Sequence, residues 1–152
     1  MLEKGAVVPD FTLKSDTGEE ISLSDFRGQR VVLYFYPKAD TPGCTKQACG
    51  VRDVYPKIEA EGATVIGISP DQPEALAKFR EKYDLPFILL SDPDHEVAEA
   101  YGVWGEKKVF GKTHMGITRS HFAIDEEGRL IESNVKVKPE TTANLALKVI
   151  DF

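Results

Sequence analysis

Apolar and polar positions alternate in two short stretches near the N-terminus, Phe11-Thr12-Leu13 and Ile21-Ser22-Leu23, on either side of Asp16-Thr17-Gly18. That is the pattern of a small β-hairpin with one buried face. Val31–Tyr36 is instead continuously apolar and aromatic and stops at Pro37, as a strand buried on both faces does. A helix is expected next, because Val51, Val54, Tyr55 and Ile58 recur on one face. Pro56 lies inside that pattern and predicts a kink or break about one turn earlier. Thr64–Ser69 reads as a second buried strand and Pro73–Tyr83 as an amphipathic helix carrying Leu76, Phe79, Arg80 and Tyr83 at helical spacing. Phe87–Leu90 is a third strand and Asp94–Tyr101 a short helix. Residues 102–118 are rich in Gly and Lys, show no period, and are expected to form a loop partly ordered around Trp104. Ser120–Ile124 and Arg129–Val135 flank Asp125-Glu126-Glu127-Gly128 as a hairpin with Gly in its turn. A closing helix over Glu140–Ile150 follows Pro139.

The order is therefore hairpin, β, α, β, α, β, α, β, β, α. Alternating strands and helices require right-handed crossovers and a parallel portion of sheet, and the final hairpin adds antiparallel strands. The fold expected is α/β and thioredoxin-like: a central mixed sheet flanked by helices, with an N-terminal hairpin extension. No linker or repeat interrupts the 152 residues, so one domain over 1–152 is expected. The apolar fraction of 41% and charged fraction of 29% are those of an ordinary globular protein. A net charge of −6 argues against a nucleic-acid partner. Met1–Phe11 has no secretory core and no apolar run is long enough for a bilayer, so a cytoplasmic location without membrane association is expected. In that reducing setting a cysteine pair is catalytic, sensing or metal-binding more often than structural.

Both cysteines of the chain fall in Tyr36-Pro37-Lys38-Ala39-Asp40-Thr41-Pro42-Gly43-Cys44-Thr45-Lys46-Gln47-Ala48-Cys49. Thr41 suits an N-cap and Pro42 the first helical position, where a missing N–H costs nothing. Cys44 is then the third residue of a helix, among unpaired amides and at the positive end of the macrodipole, an environment that favours thiolate. The Thr41 hydroxyl can approach both that sulfur and a small polar molecule, and Pro37 would shield the pocket from water. On the same residues, a capped turn with an inert buried cysteine remains open. Cys49 follows five residues later, roughly 8.7 Å away between Cα atoms in an ideal helix. A disulfide needs no more than about 7 Å, so the bond requires the helix to unwind. Closing so small a loop is worth about 2 kcal/mol, against helical hydrogen bonds of around 1 kcal/mol each, a balance suited to a reversible switch. A zinc site from Cys44, Cys49, His114 and His121 has spacing at or beyond the usual limits. Gly105–Thr113 has one residue too many for a phosphate-binding loop and no strand leading into it.

Pro37, Thr41 and Cys44 match the P-x3-T-x2-C motif, and the chain resembles the peroxiredoxin family. Tyr34-Phe35-Tyr36-Pro37-Lys38, Thr41-Pro42-Gly43-Cys44-Thr45 and Ala48-Cys49 are similar to its bacterioferritin-comigratory, or Q-type, subgroup. Val65-Ile66-Gly67-Ile68-Ser69, Leu90-Ser91-Asp92, and Arg119-Ser120 with Phe122 continue the likeness along the chain. The resemblance implies thiol-dependent reduction of hydrogen peroxide and organic hydroperoxides without metal, haem or flavin. It implies that Cys44 becomes a sulfenic acid and that Cys49 condenses with it to a disulfide, which thioredoxin or a similar dithiol reduces. Arg119 enters as a catalytic residue by this resemblance alone; an Arg before a strand is otherwise usually a solvated charge. Where the family usually carries a small hydroxyl residue this chain has His121, read as a partly exposed histidine, with a pH-sensing role near the pocket as the sharper reading.

A second function class is a non-enzymatic peroxide-sensing thiol switch or a holdase that uses the same disulfide to expose apolar surface. Because the resolving cysteine lies in the same chain, a monomer is expected first and a weak homodimer second.

Overall fold

In the computed structural model, which describes residues 2–152, the chain forms β1 (Thr12–Ser15), β2 (Glu20–Ser22), β3 (Val31–Phe35), α1 (Pro42–Ala60), β4 (Thr64–Ser69), α2 (Pro73–Tyr83), β5 (Ile88–Ser91), α3 (Glu96–Ala100), β6 (Trp104–Val109), β7 (Lys112–Ile117), β8 (Ser120–Ile124), β9 (Leu130–Val135) and α4 (Thr142–Leu147). Met1, the first residue of the expected domain, lies outside the described residues. Seven strands form one sheet in the order β2-β1-β5-β4-β3-β8-β9. Strands β3, β4 and β5 run parallel, as their helical crossovers demand, while β1, β8 and β9 join antiparallel. This is the mixed, thioredoxin-like α/β fold.

Strand β3 sits inside the sheet and feeds two cores. Val32, Tyr34 and Tyr36 face α1, packing with Val51, Tyr55, Ile58, Leu76 and Phe79. Val31, Leu33 and Phe35 face the other way, against Val97, Tyr101, Ile117 and Phe122. Burial on both faces is the reason for its unbroken apolar run. Tyr34 lies opposite Gly67 on β4, and a Cβ there would come within 2.9 Å of its ring. Glycine is therefore the residue that lets a full phenol cross the neighbouring strand.

Three expectations are corrected. Helix α1 continues through Pro56, which is exposed, because Val51, Tyr55 and Ile58 bury one face on either side of it. Tertiary packing outweighs the single lost hydrogen bond. Residues 102–118 are not a loop: β6 and β7 pair as a separate two-stranded ribbon. Its turn, Phe110-Gly111, has φ of 52° and 78°, and positive values at both central residues give the twist that a two-residue hairpin needs. The closing helix is divided, with 3₁₀ turns at Pro139–Thr141 and Lys148–Asp151 around α4. Among the described residues no helix is long and apolar enough to cross a membrane.

Candidate active site

Helix α1 begins as the sequence predicts. Thr41 is the N-cap in extended conformation, Pro42 opens the helix, and Cys44 is its third residue. The Thr41 hydroxyl, however, donates to the Lys38 carbonyl at 2.8 Å and makes no side-chain cap. The loop bearing Pro37 and Thr41 is clamped from one side by Asp71, whose carboxylate accepts from the Ala39 amide at 2.7 Å and from Ser69 Oγ at 2.8 Å. From the other side Lys82 and Tyr83 of α2 donate to Asp40, which sits at a φ of 60°.

Arg119 reaches the same helix start from the far end of the chain, and sheet register explains how. Strand β8 runs antiparallel to β3 with Ser120 opposite Phe35, so Arg119 lies just beyond the C-terminal end of β3, where α1 begins. Its Nη1 donates to Cys44 Sγ at 3.4 Å and to Gln47 Oε1 at 2.6 Å. Gly43 makes room: a Cβ there would lie 3.1 Å from Arg119 Nη2. Arg119 is half-buried rather than a free surface charge.

Gln47 is the functional residue that sequence reasoning missed. It is fully buried one turn after Cys44, accepts from Arg119 and donates to Thr142 Oγ1 of α4 at 2.9 Å, so it ties the guanidinium to the helix pair. The available signal was a glutamine on the inward face of α1, three residues beyond Cys44 and in line with Val51.

Both cysteines are free thiols on one unbroken helix, Cys44 buried at 2% exposure and Cys49 half-buried. Three cavities, one of about 350 Å³ between Arg30, Glu61 and Phe152, all lie away from Cys44. Pro37, Thr41 and Gly43, its neighbours along the chain, are half-buried. The tyrosines beneath, Tyr34 and Tyr36, are fully buried, have no partner for their hydroxyls among the described residues, and are held neutral by desolvation. Among the described residues no group of three or more His, Cys, Asp or Glu side chains is gathered as for a metal; His114 is exposed on β7 and His121 buried on β8.

The residue pattern of the AhpC/TSA family matches residues 5–133. The chain belongs to this family, as a peroxiredoxin. It is 50% identical to peroxiredoxin Bcp of Bacillus subtilis (strain 168) over 149 residues, 98% of this chain and 95% of that one. It is 54% identical to peroxiredoxin Bcp of Escherichia coli (strain K12) over 129 residues, 85% and 83% of the two chains. Its fold superposes on the Xanthomonas campestris bacterioferritin comigratory protein, in a structure concerned with alkyl peroxide reduction, with a TM-score of 0.89, 32% identity, and coverage of 99% and 96%. This peroxiredoxin is thus a thiol peroxidase acting on hydroperoxides, as the Bacillus subtilis and Escherichia coli relatives are named peroxiredoxins.

His121 of this peroxiredoxin is neither exposed nor poised to titrate near neutrality. It is 1% exposed, its Nδ1 has no partner among the described residues, and burial pushes its pKa down to about 4, with Glu132 opposing and Lys148 reinforcing. The unfolded chain binds the proton at the ordinary histidine value, the folded chain only below about 4. Stability is therefore present above pH 6.5 and is lost as pH falls, at up to about 1.4 kcal/mol per pH unit until the folded value is reached. Urea denaturation between pH 7 and 4.5 should show that slope in the wild type and a shallower one in His121→Thr. The variant's peroxidase pH–rate profile should match the wild type between pH 6 and 8.

Proposed function

We propose that Cys44 is the peroxidatic thiol, Cys49 the resolving thiol, and Arg119, Thr41 and Pro37 the groups that shape the pocket around the sulfur. The observation that carries this reading is the 3.4 Å contact from Arg119 Nη1 to Cys44 Sγ at the first turn of α1. A guanidinium in that position stabilises negative charge on sulfur and, as the reaction proceeds, on the departing oxygen. The thiolate attacks one peroxide oxygen, the S–O bond forms as the O–O bond breaks, and the leaving oxygen takes a proton to become water or an alcohol. The Thr41 hydroxyl spends its proton on the Lys38 carbonyl, which leaves its oxygen free to accept from the peroxide O–H. Pro37, half-buried seven residues before Cys44, limits water at the sulfur.

Cys49 then attacks the Cys44 sulfenic acid, forming S–S and releasing hydroxide that is protonated to water. A thioredoxin-type dithiol returns the two electrons. The step needs α1 to unwind between the sulfurs, which breaks the hydrogen bonds of Gln47. With α1 continuous at Pro56, the local weak point is Gly50. A Cβ there would make only ordinary contact with Ala143, so glycine is not required for space and weakens the helix by about 1 kcal/mol relative to alanine. The same reading takes the chain as one domain that works as a cytoplasmic monomer, since both thiols lie on one helix.

Rapid mixing of the reduced protein with limiting peroxide, followed by mass mapping of the cysteines, tests the assignment. One equivalent should yield a Cys44–Cys49 disulfide within one chain; an intermolecular linkage or unmodified Cys44 would sink it.

A further inference from the structure

The β6–β7 ribbon carries Lys107, Lys108 and Lys112, and they are not equivalent. Lys108 and Lys112 are exposed, whereas Lys107 is half-buried. Its Nζ donates to the Ile117 carbonyl at 2.7 Å. Its stem crosses Gly116, where a Cβ would stand 3.1 Å from Lys107 Cδ, so the path is fitted to the side chain. Ile117 ends β7 and stands two residues before Arg119.

The backbone between them is held from several directions. Thr118 donates its amide to the Val103 carbonyl at 2.8 Å, Ser120 Oγ donates to the Thr118 carbonyl at 2.7 Å, and the Val137 amide donates to the Arg119 carbonyl at 2.9 Å. Within this set the Lys107 contact alone is made by a charged side chain.

We propose that Lys107 is a positioning residue of the peroxidase centre: anchored on the Ile117 carbonyl, it fixes the segment that aims Arg119 at Cys44, and through Arg119 it holds the charge that keeps that sulfur ionised. This rests on the roles assigned above to Cys44 and Arg119. The charged and titratable groups around Lys107 fit it. His114 is its cross-strand partner on β7, and Glu106 and Lys108 flank it on β6 and are exposed. Burial and then Arg119 lower its pKa, while Cys44 pulls the other way.

The test uses the full chain with Lys107→Met and Lys107→Arg. Two rates are followed from pH 5 to 9: alkylation of Cys44 by iodoacetamide in the Cys49→Ser background, and the single-turnover reaction with hydrogen peroxide. Lys107→Met should slow both by roughly five- to ten-fold at pH 6, with the gap closing at high pH where the thiol is ionised regardless. Lys107→Arg should restore most of the loss. Curves for Lys107→Met that overlay the parent, a loss equal at every pH, or a loss that arginine does not mend would each overturn the proposal. Alkylation reports on the sulfur whether or not the protein turns over peroxide. A parent that alkylates normally at Cys44 but forms no sulfenate there would therefore indict the proposed function and leave the Lys107 effect measurable.

Discussion

Cys44→Ser is expected to fold normally and to consume no peroxide above background when coupled to thioredoxin and its reductase. The substitution exchanges sulfur for oxygen at a site 2% exposed, with little change in volume, so the core around Ala48 and Val51 should hold. A serine hydroxyl beside Arg119 stays protonated at neutral pH and cannot attack an O–O bond as a thiolate does. Cys49→Ser should part company with it. That variant should reduce one equivalent of peroxide at close to the wild-type rate and then stall as a Cys44 sulfenic acid. Further peroxide should carry it to the sulfinic acid, visible as added oxygen at residue 44 by mass mapping. Sustained thioredoxin-coupled turnover in Cys44→Ser, or no burst in Cys49→Ser, would remove the assignment of the two thiols.

Arg119→Met should lower the rate of the peroxide step by about 10²–10³-fold, the cost typical of removing one preorganised donor to developing negative charge. The same change strips Gln47 Oε1 of its donor in a fully buried position, so stability should fall by about 1–3 kcal/mol as well. Arg119→Lys keeps a cation but not a planar fork that can serve sulfur and amide oxygen together, and should fall between the two. Single-turnover kinetics and urea denaturation separate the effects. A peroxide rate within a factor of about three of wild type in Arg119→Met would show that the guanidinium is structural.

The elements that the pattern of residues predicted well are those whose surroundings are uniform. Thr64–Ser69 and Pro73–Tyr83 match their expected bounds, the first because burial on both faces selects the apolar run Val65-Ile66-Gly67-Ile68 between Thr64 and Ser69, the second because Pro73 and the helical spacing of Leu76 and Phe79 mark one face. The ribbon was illegible because it stands apart from the seven-stranded sheet. Most of β7 is exposed, so neither face is required to be apolar and no alternation appears. Pro56 misled for the converse reason: local chemistry disfavours it, and burial of Tyr55 and Ile58 decides otherwise. His121 was misplaced because a titratable side chain on a strand does not reveal whether helices cover it, and here α4 and the 3₁₀ turn after it pack over that end of the sheet.

By itself the chain of residues settled what is local. Thr41-Pro42-Gly43-Cys44 starts a helix with a thiol in its first turn, and the five-residue step to Cys49 keeps the two sulfurs apart while that helix is intact, because both follow from helical geometry within one short segment. Only the tertiary structure decided what meets that thiol. The antiparallel register of β8 against β3, the room above Gly43, and the packing of α4 on α1 bring Arg119, Gln47 and Thr142 together. These contacts span 72 to 95 positions along the chain, and spacing in sequence carries no information about distances closed by a sheet.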